Sequence, residues 1–174
     1  MWDFFETVRH RHSVRRYQSD MPVEAEKLHA VLETALAAPS AGDLQAYKIV
    51  VVTDRATREA LADAAAHQGF VAEAPVCLVF CSDPQRSAET YGARGRELYT
   101  IQDATIAAAY AQLAVVAAGM GSTWVGSFDA ERLRDVLELD IKLLPVAILC
   151  VGYPAELPEP TPRRHLDDMV ERRD

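Results

Sequence analysis

Helical and strand-like patterns alternate along these 174 residues, and they predict helices packed on a buried sheet. Three observations carry that prediction. Continuous apolar runs at residues 49–52, 76–81 and 145–151 have the length and bulk of strands buried on both faces. Between them lie segments with apolar residues at helical spacing. The third is a long stretch, residues 97–118, that is apolar nearly all round, as for a helix packed on several sides or against another subunit. On pattern alone the alternation suggests a doubly wound parallel sheet.

Asp3 with Glu6 three residues later marks the start of a short helix, and residues 13–17 read as extended. Pro22 and Glu24 open a second helix, in which Leu28, Val31, Leu32, Ala35 and Leu36 form one apolar face. Pro39 ends it, and residues 39–43 are a turn-rich loop before the first strand. An alanine-rich helix spans about residues 56–66. Residues 83–95 are polar without usable periodicity and are expected as a surface excursion. Gly119-Met120-Gly121 stops the long helix, residues 123–125 make a brief strand, and Asp129 caps a small helix running to Leu137. From Tyr153 onward, Pro154, Pro158, Pro160 and Pro162 impose an extended arm, residues 153–174. Such an arm buries little of itself and is expected to wrap a partner subunit. No linker divides the chain, so residues 1–174 are expected to form one domain.

With 49% hydrophobic and 25% charged residues the composition is that of a globular protein, not a disordered one. Eighteen basic against 26 acidic residues leave a net charge of −8, which argues against a nucleic-acid partner. The three cysteines show no CxxC or Cys/His spacing. Cys77 and Cys81 fall on one strand face about 13 Å apart, beyond disulfide reach. This usage suits a reducing cytoplasm. The opening Met-Trp-Asp-Phe-Phe-Glu has neither a basic region nor an apolar core, so no secretory leader is expected. The apolar stretch 101–118 contains Gln102, Asp103 and Gln112 and is too alanine-rich to read as a membrane span.

Four arginines, two histidines and a serine crowd residues 9–16 of this acidic chain. Guanidinium groups match phosphate oxygens with paired hydrogen bonds, and a hydroxyl adds a further donor. The same arginines would repel a metal from His10 and His12, so no metal is expected. A second basic pair, Arg163-Arg164, lies on the proline-rich arm, where it makes a shared anion site conceivable. Residues 39–45 combine small, hydroxyl and amide side chains, which let a backbone approach a ligand closely. Gly119-Met120-Gly121-Ser122 is not a dinucleotide fingerprint, because it follows a helix and lacks the third glycine. No nucleophile motif is present either, so any chemistry is expected to come from a bound organic cofactor carrying a phosphate.

Taken in order, Arg11-His12-Ser13-Val14-Arg15, residues 38–45, Ala74-Pro75, residues 119–126, residues 152–155 and Pro162-Arg163-Arg164 resemble the FMN-dependent nitroreductases. The resemblance runs from Phe4 to Val170. It implies an α+β fold, a mixed sheet flanked by helices, in an intertwined homodimer, and it replaces the parallel-sheet expectation. It implies that Arg11 and Ser13 hold the FMN phosphate with His12 nearby, and that Arg15 reaches the pyrimidine edge of the ring. Pro39, Ser40 and Ala41 of the partner would line the ribityl chain and ring, with Asp43 where the family usually has Asn. Backbone groups of Val125 and Gly126 would face the ring, and Gln68 is a further polar candidate, Phe70 being unable to hydrogen-bond. Arg163, with Arg164 beside it, would return to the phosphate from the tail of a neighbouring copy; Thr161 stands where the family has another basic residue.

The activity implied is that of an NAD(P)H oxidoreductase. Hydride passes from NADH or NADPH to the flavin and, in a ping-pong cycle, to an electron-poor small molecule such as a nitroaromatic or quinone. No side-chain acid or base is then expected to be indispensable. The resemblance also admits relatives that use FMN for dehalogenation or other redox chemistry; a non-catalytic flavin binder is the other class left open.

Overall fold

The computed structural model describes residues 3–173; Met1, Trp2 and Asp174 lie outside the described residues, including the first two positions of the opening read above for a leader. Four strands form one sheet: β1 (Tyr47–Val52), β2 (Val76–Ser82), β3 (Gly121–Val125) and β4 (Leu144–Gly152), in the spatial order β1-β2-β4-β3. All three strand pairs are antiparallel. This corrects the parallel sheet suggested by alternation alone, since apolar strand runs are blind to direction. Parallel pairing enters through the isolated bridge between Ser13 and Ser122, which lays the extended segment beside the outer edge of β3.

Helices cover both faces, and the period of two along β2 sorts the core between them. Val76, Leu78 and Phe80 point toward α2 (Ala25–Leu36) and α6 (Thr100–Ala117), with Ala107, Ala111 and Val115 behind them. Cys77, Val79 and Cys81 point the other way, toward α3 (Arg55–Ala64), α4 (Phe70–Glu73) and α7 (Ala130–Val136), where Leu61 and Leu133 are fully buried. Alanines on α6 let the helix approach the sheet closely, while Ile101 and Tyr110 remain exposed on its far side. The cysteines are free and buried.

Local signals explain most boundaries. Asp3 accepts the Glu6 amide at the start of α1 (Phe4–His10), and Asp129 accepts two amides at the start of α7. Two expectations need correcting. Residues 83–95 are not an irregular excursion: α5 (Pro84–Arg94) begins at an Asp83 cap with Pro84 in its first turn, bends at Gly92 and runs into a π-helical turn, Gly95–Tyr99. The strand at 49–52 is not buried on both faces either; β1 is an edge strand with Val51 exposed.

The arm leaves the sheet through a short pairing with residues 16–18: the Gln18 amide donates to Tyr153 O and the Ala155 amide to Arg16 O, both at 2.9 Å. Gly121 makes this approach possible. A Cβ there would lie 2.6 Å from Val14 Cγ2 and 2.9 Å from Pro154 Cγ. Beyond this pairing, residues 159–173 are exposed throughout.

Candidate functional site

Arg11 is the first extended residue after α1, so its guanidinium leaves from a fixed helix end. The next residues are locked to the sheet. The Val14 amide donates to Ser122 O at 3.0 Å, and the hydroxyls of Thr123 and Tyr17 donate to Val14 O. Tyr17 is buried, and burial first, then the Cys150 thiol, pushes its phenol pKa well up, so it serves as a neutral donor. The Tyr17 amide donates to Glu73 Oε1 at 3.0 Å. Ser13 and Arg15 therefore sit on a rail clamped at both ends.

Arg163 of the same chain lies within electrostatic reach of Arg11. Burial first, and then the charge of Arg163, lowers the Arg11 pKa. The pairing of residues 16–18 with 153–155 turns the arm back over its own chain. Among the described residues no carboxylate forms an ion pair with Arg11, Arg15 or Arg163. Two guanidinium groups within electrostatic reach of each other, neither in an ion pair, suit an anion. Thr161, at the position where a cation was missed, accepts from Arg163 Nη1 at 2.7 Å and helps aim it. Arg164 instead turns away, donating to Asp168 O at 3.1 Å.

Further residues converge on the same edge. His12 lines a small cavity of about 100 Å³ with His10, Met120 and Pro154. Val125 is buried at the end of β3, and Gly126 is exposed just after it. Gln68 donates from Nε2 to Ala65 O at 2.8 Å and, more distantly, to Ser127 O at 3.4 Å, which ties the 68–70 segment to the end of β3. The Arg15 guanidinium stands 6.0 Å from the Phe70 ring centre, within cation–π range. Phe70 thus steadies Arg15 without hydrogen-bonding anything.

Pro39, Ser40, Ala41 and Asp43 do not join this group. Their loop precedes β1, at the opposite edge of the sheet from Ser13, which lies beyond β3, four strand spacings or about 19 Å away. The structure therefore divides the predicted residues into two half-sites. Sequence reasoning missed Asp103, which is buried on α6 and holds this loop: its Oδ1 accepts the Ala41 amide at 2.9 Å. Its signal was a lone acid interrupting an alanine-rich helix.

FMN fits the first half-site on two observations. The uncompensated Arg11–Arg163 pair suits its phosphate, and Ser122 Oγ, fully buried next to the Ser13 bridge, has no hydrogen-bond partner. No group of three or more metal-ligating side chains occurs among the described residues, and no helix there is long and apolar enough to cross a membrane.

A layered α+β domain with an arginine cluster where its first helix meets its edge strand defines the class. The chain belongs to the nitroreductase family, whose model matches residues 8–69 and 65–153. It is similar to an NADH dehydrogenase of Thermus thermophilus, 36% identical, the match covering 92% of this chain and 91% of that protein. It is 33% identical to an NADPH-flavin oxidoreductase of Vibrio harveyi, over 91% of this chain and 68% of the relative. Among solved structures, the Vibrio harveyi NADPH:FMN oxidoreductase complexed with NAD+ superposes with a TM-score of 0.89 at 29% identity, covering 98% of this chain and 77% of the other. NfrA2 of B. megaterium gives 0.91 at 26% identity, covering 100% and 75%.

Proposed function

We propose that the protein is an FMN-dependent NAD(P)H oxidoreductase, a homodimer that passes hydride by a ping-pong mechanism to an electron-poor acceptor such as a nitroaromatic or a quinone. The observation that carries this reading is the arginine-rich segment bridged to β3, where Arg11 lies within electrostatic reach of Arg163 and, among the described residues, neither forms an ion pair with a carboxylate. The names of the Vibrio harveyi relatives, which include FMN, NADPH and NAD+, support it.

When bound, the flavin accepts hydride from the nicotinamide and supplies it to the acceptor. Arg11, Ser13 and Arg163 hold the phosphate, and His12 borders it. Arg15, steadied on Phe70, places positive charge at the pyrimidine edge and favours negative charge on the reduced ring. Val125 and Gly126 offer backbone groups to the ring, and their position at a strand end keeps that edge rigid. Pro39, Ser40, Ala41 and Asp43 come from the second copy, because one chain holds them at the far edge of its sheet. The second copy also covers the exposed face of α6, where Phe4, Tyr110, Leu113 and Ala117 line an apolar groove of about 640 Å³. Three free, buried cysteines suit a reducing cytoplasm.

The test is anaerobic mixing of the purified yellow protein with NADH or NADPH. Bleaching of the flavin absorbance, followed by its return on adding a quinone, is the expected outcome. Bound flavin that neither nicotinamide bleaches would reduce the protein to a flavin binder.

A further inference from the structure

The loop between α2 and β1 holds three residues in the left-handed region: Gly42 at φ 57°, Asp43 at 54° and Gln45 at 47°. Two of them carry side chains, so the surroundings must hold the loop in this shape. The start of α6 grips it at two points. Thr100 Oγ1 donates to Ala46 O at 2.9 Å, and three residues on, Asp103 Oδ1 accepts the Ala41 amide at 2.9 Å. From outside, the Tyr91 ring lies against Gly42, where a Cβ would overlap the phenol oxygen. Tyr91 is braced edge-on by Tyr99 at 5.2 Å, and Tyr99 by Arg94.

Asp103 is poorly explained by stability. The residue is 2% exposed, and its Oδ2 is buried with no hydrogen-bond partner. A half-paired buried carboxylate is costly, and an apolar side chain of similar size fills such a place at least as well. What Asp103 alone provides is an acceptor aimed at the Ala41 amide.

We propose that Asp103 is a positioning residue, which presets residues 40–45 in the shape that meets FMN held by the second copy. This rests on the FMN reading above. Without the anchor the loop samples other shapes, and the apparent FMN dissociation constant rises by the inverse of the competent fraction.

The experiment uses full-length protein stripped of flavin, with FMN affinity read from flavin fluorescence and loop order from hydrogen exchange at the Ala41 amide. Asp103→Leu is expected to keep or raise the melting temperature, lose protection at Ala41, and weaken FMN binding about tenfold or more, as for a loop competent a tenth of the time. Asp103→Asn retains a carbonyl acceptor and is expected to restore most of both. Should Asp103→Leu fail to fold, Gly42→Ala displaces the same loop from Tyr91 at an exposed position and is expected to weaken FMN binding likewise. Unchanged FMN affinity in the folded variant, or unchanged exchange at Ala41 in Asp103→Leu, overturns the proposal alone. Wild-type protein that binds no FMN overturns the functional reading and this proposal with it.

Discussion

Replacing Arg11 with Ala isolates the phosphate half of the site. The guanidinium is partly desolvated and lies near a second positive charge, so the flavin-free protein gains nothing from holding it there. Its return comes only when an anion binds. A hydrogen bond to a charged group contributes about 1.5–3 kcal/mol, so Arg11→Ala should weaken FMN binding about 10- to 150-fold. Stability of the flavin-free protein should stay level or rise slightly, because a like-charge repulsion goes with the side chain. Riboflavin, which is the same ring and ribityl chain without the phosphate, supplies the control. Fluorescence titration of stripped protein should show the loss for FMN and almost none for riboflavin. Arg163→Ala should behave the same way, and the double variant should lose less than the two singles added together, since both groups serve one phosphate. Equal losses for FMN and riboflavin, or no loss for FMN, would refute the assignment.

Two further outcomes follow from the packing. Gly121→Ala pushes a Cβ into Val14 and Pro154 and must shift the rail carrying Ser13 and Arg15; FMN affinity and melting temperature should both fall, and a variant unaltered in both would contradict the close approach. Burial pushes the Cys81 thiol up to about 11 from 9.0, so the unfolded chain loses this proton first, and stability contributed by the neutral thiol is lost as pH rises from 9 to 11. That loss amounts to about 2–3 kcal/mol, and denaturant unfolding across this range should show a shallower decline for Cys81→Val, whereas identical slopes would contradict it.

How far the fold was legible depends on how local each signal is. Asp3, Asp129, Gly119 and the apolar face of α2 are read within one or two helical turns, and the structure matches them except at Leu36, which is exposed at the end of α2. Strand direction is not local: Val76, Leu78 and Phe80 look alike in parallel and antiparallel sheets, and pairing is decided by partners some 70 residues away, such as Val151 and Leu149. Exposure of β1 has the same origin, because an edge position belongs to the sheet and not to the strand. The helix α5 was hidden by its polar faces, although Asp83 followed by Pro84 was a start signal that could have been used. In the site, Arg11 to Arg15 stood out as excess charge. Asp103 did not, since what distinguishes it is an amide 62 positions away.

The central claim is that one chain contributes guanidinium groups and a second contributes the loop. Co-expression of two differently tagged, individually flavin-free variants tests it: Arg11→Glu in one chain and Ser40→Trp in the other. In a hybrid dimer one site carries both lesions and the other carries neither. The account predicts that purified hybrids recover about half the wild-type flavin per chain, as for one intact site of two. Hybrid dimers as colourless as either parent would contradict it.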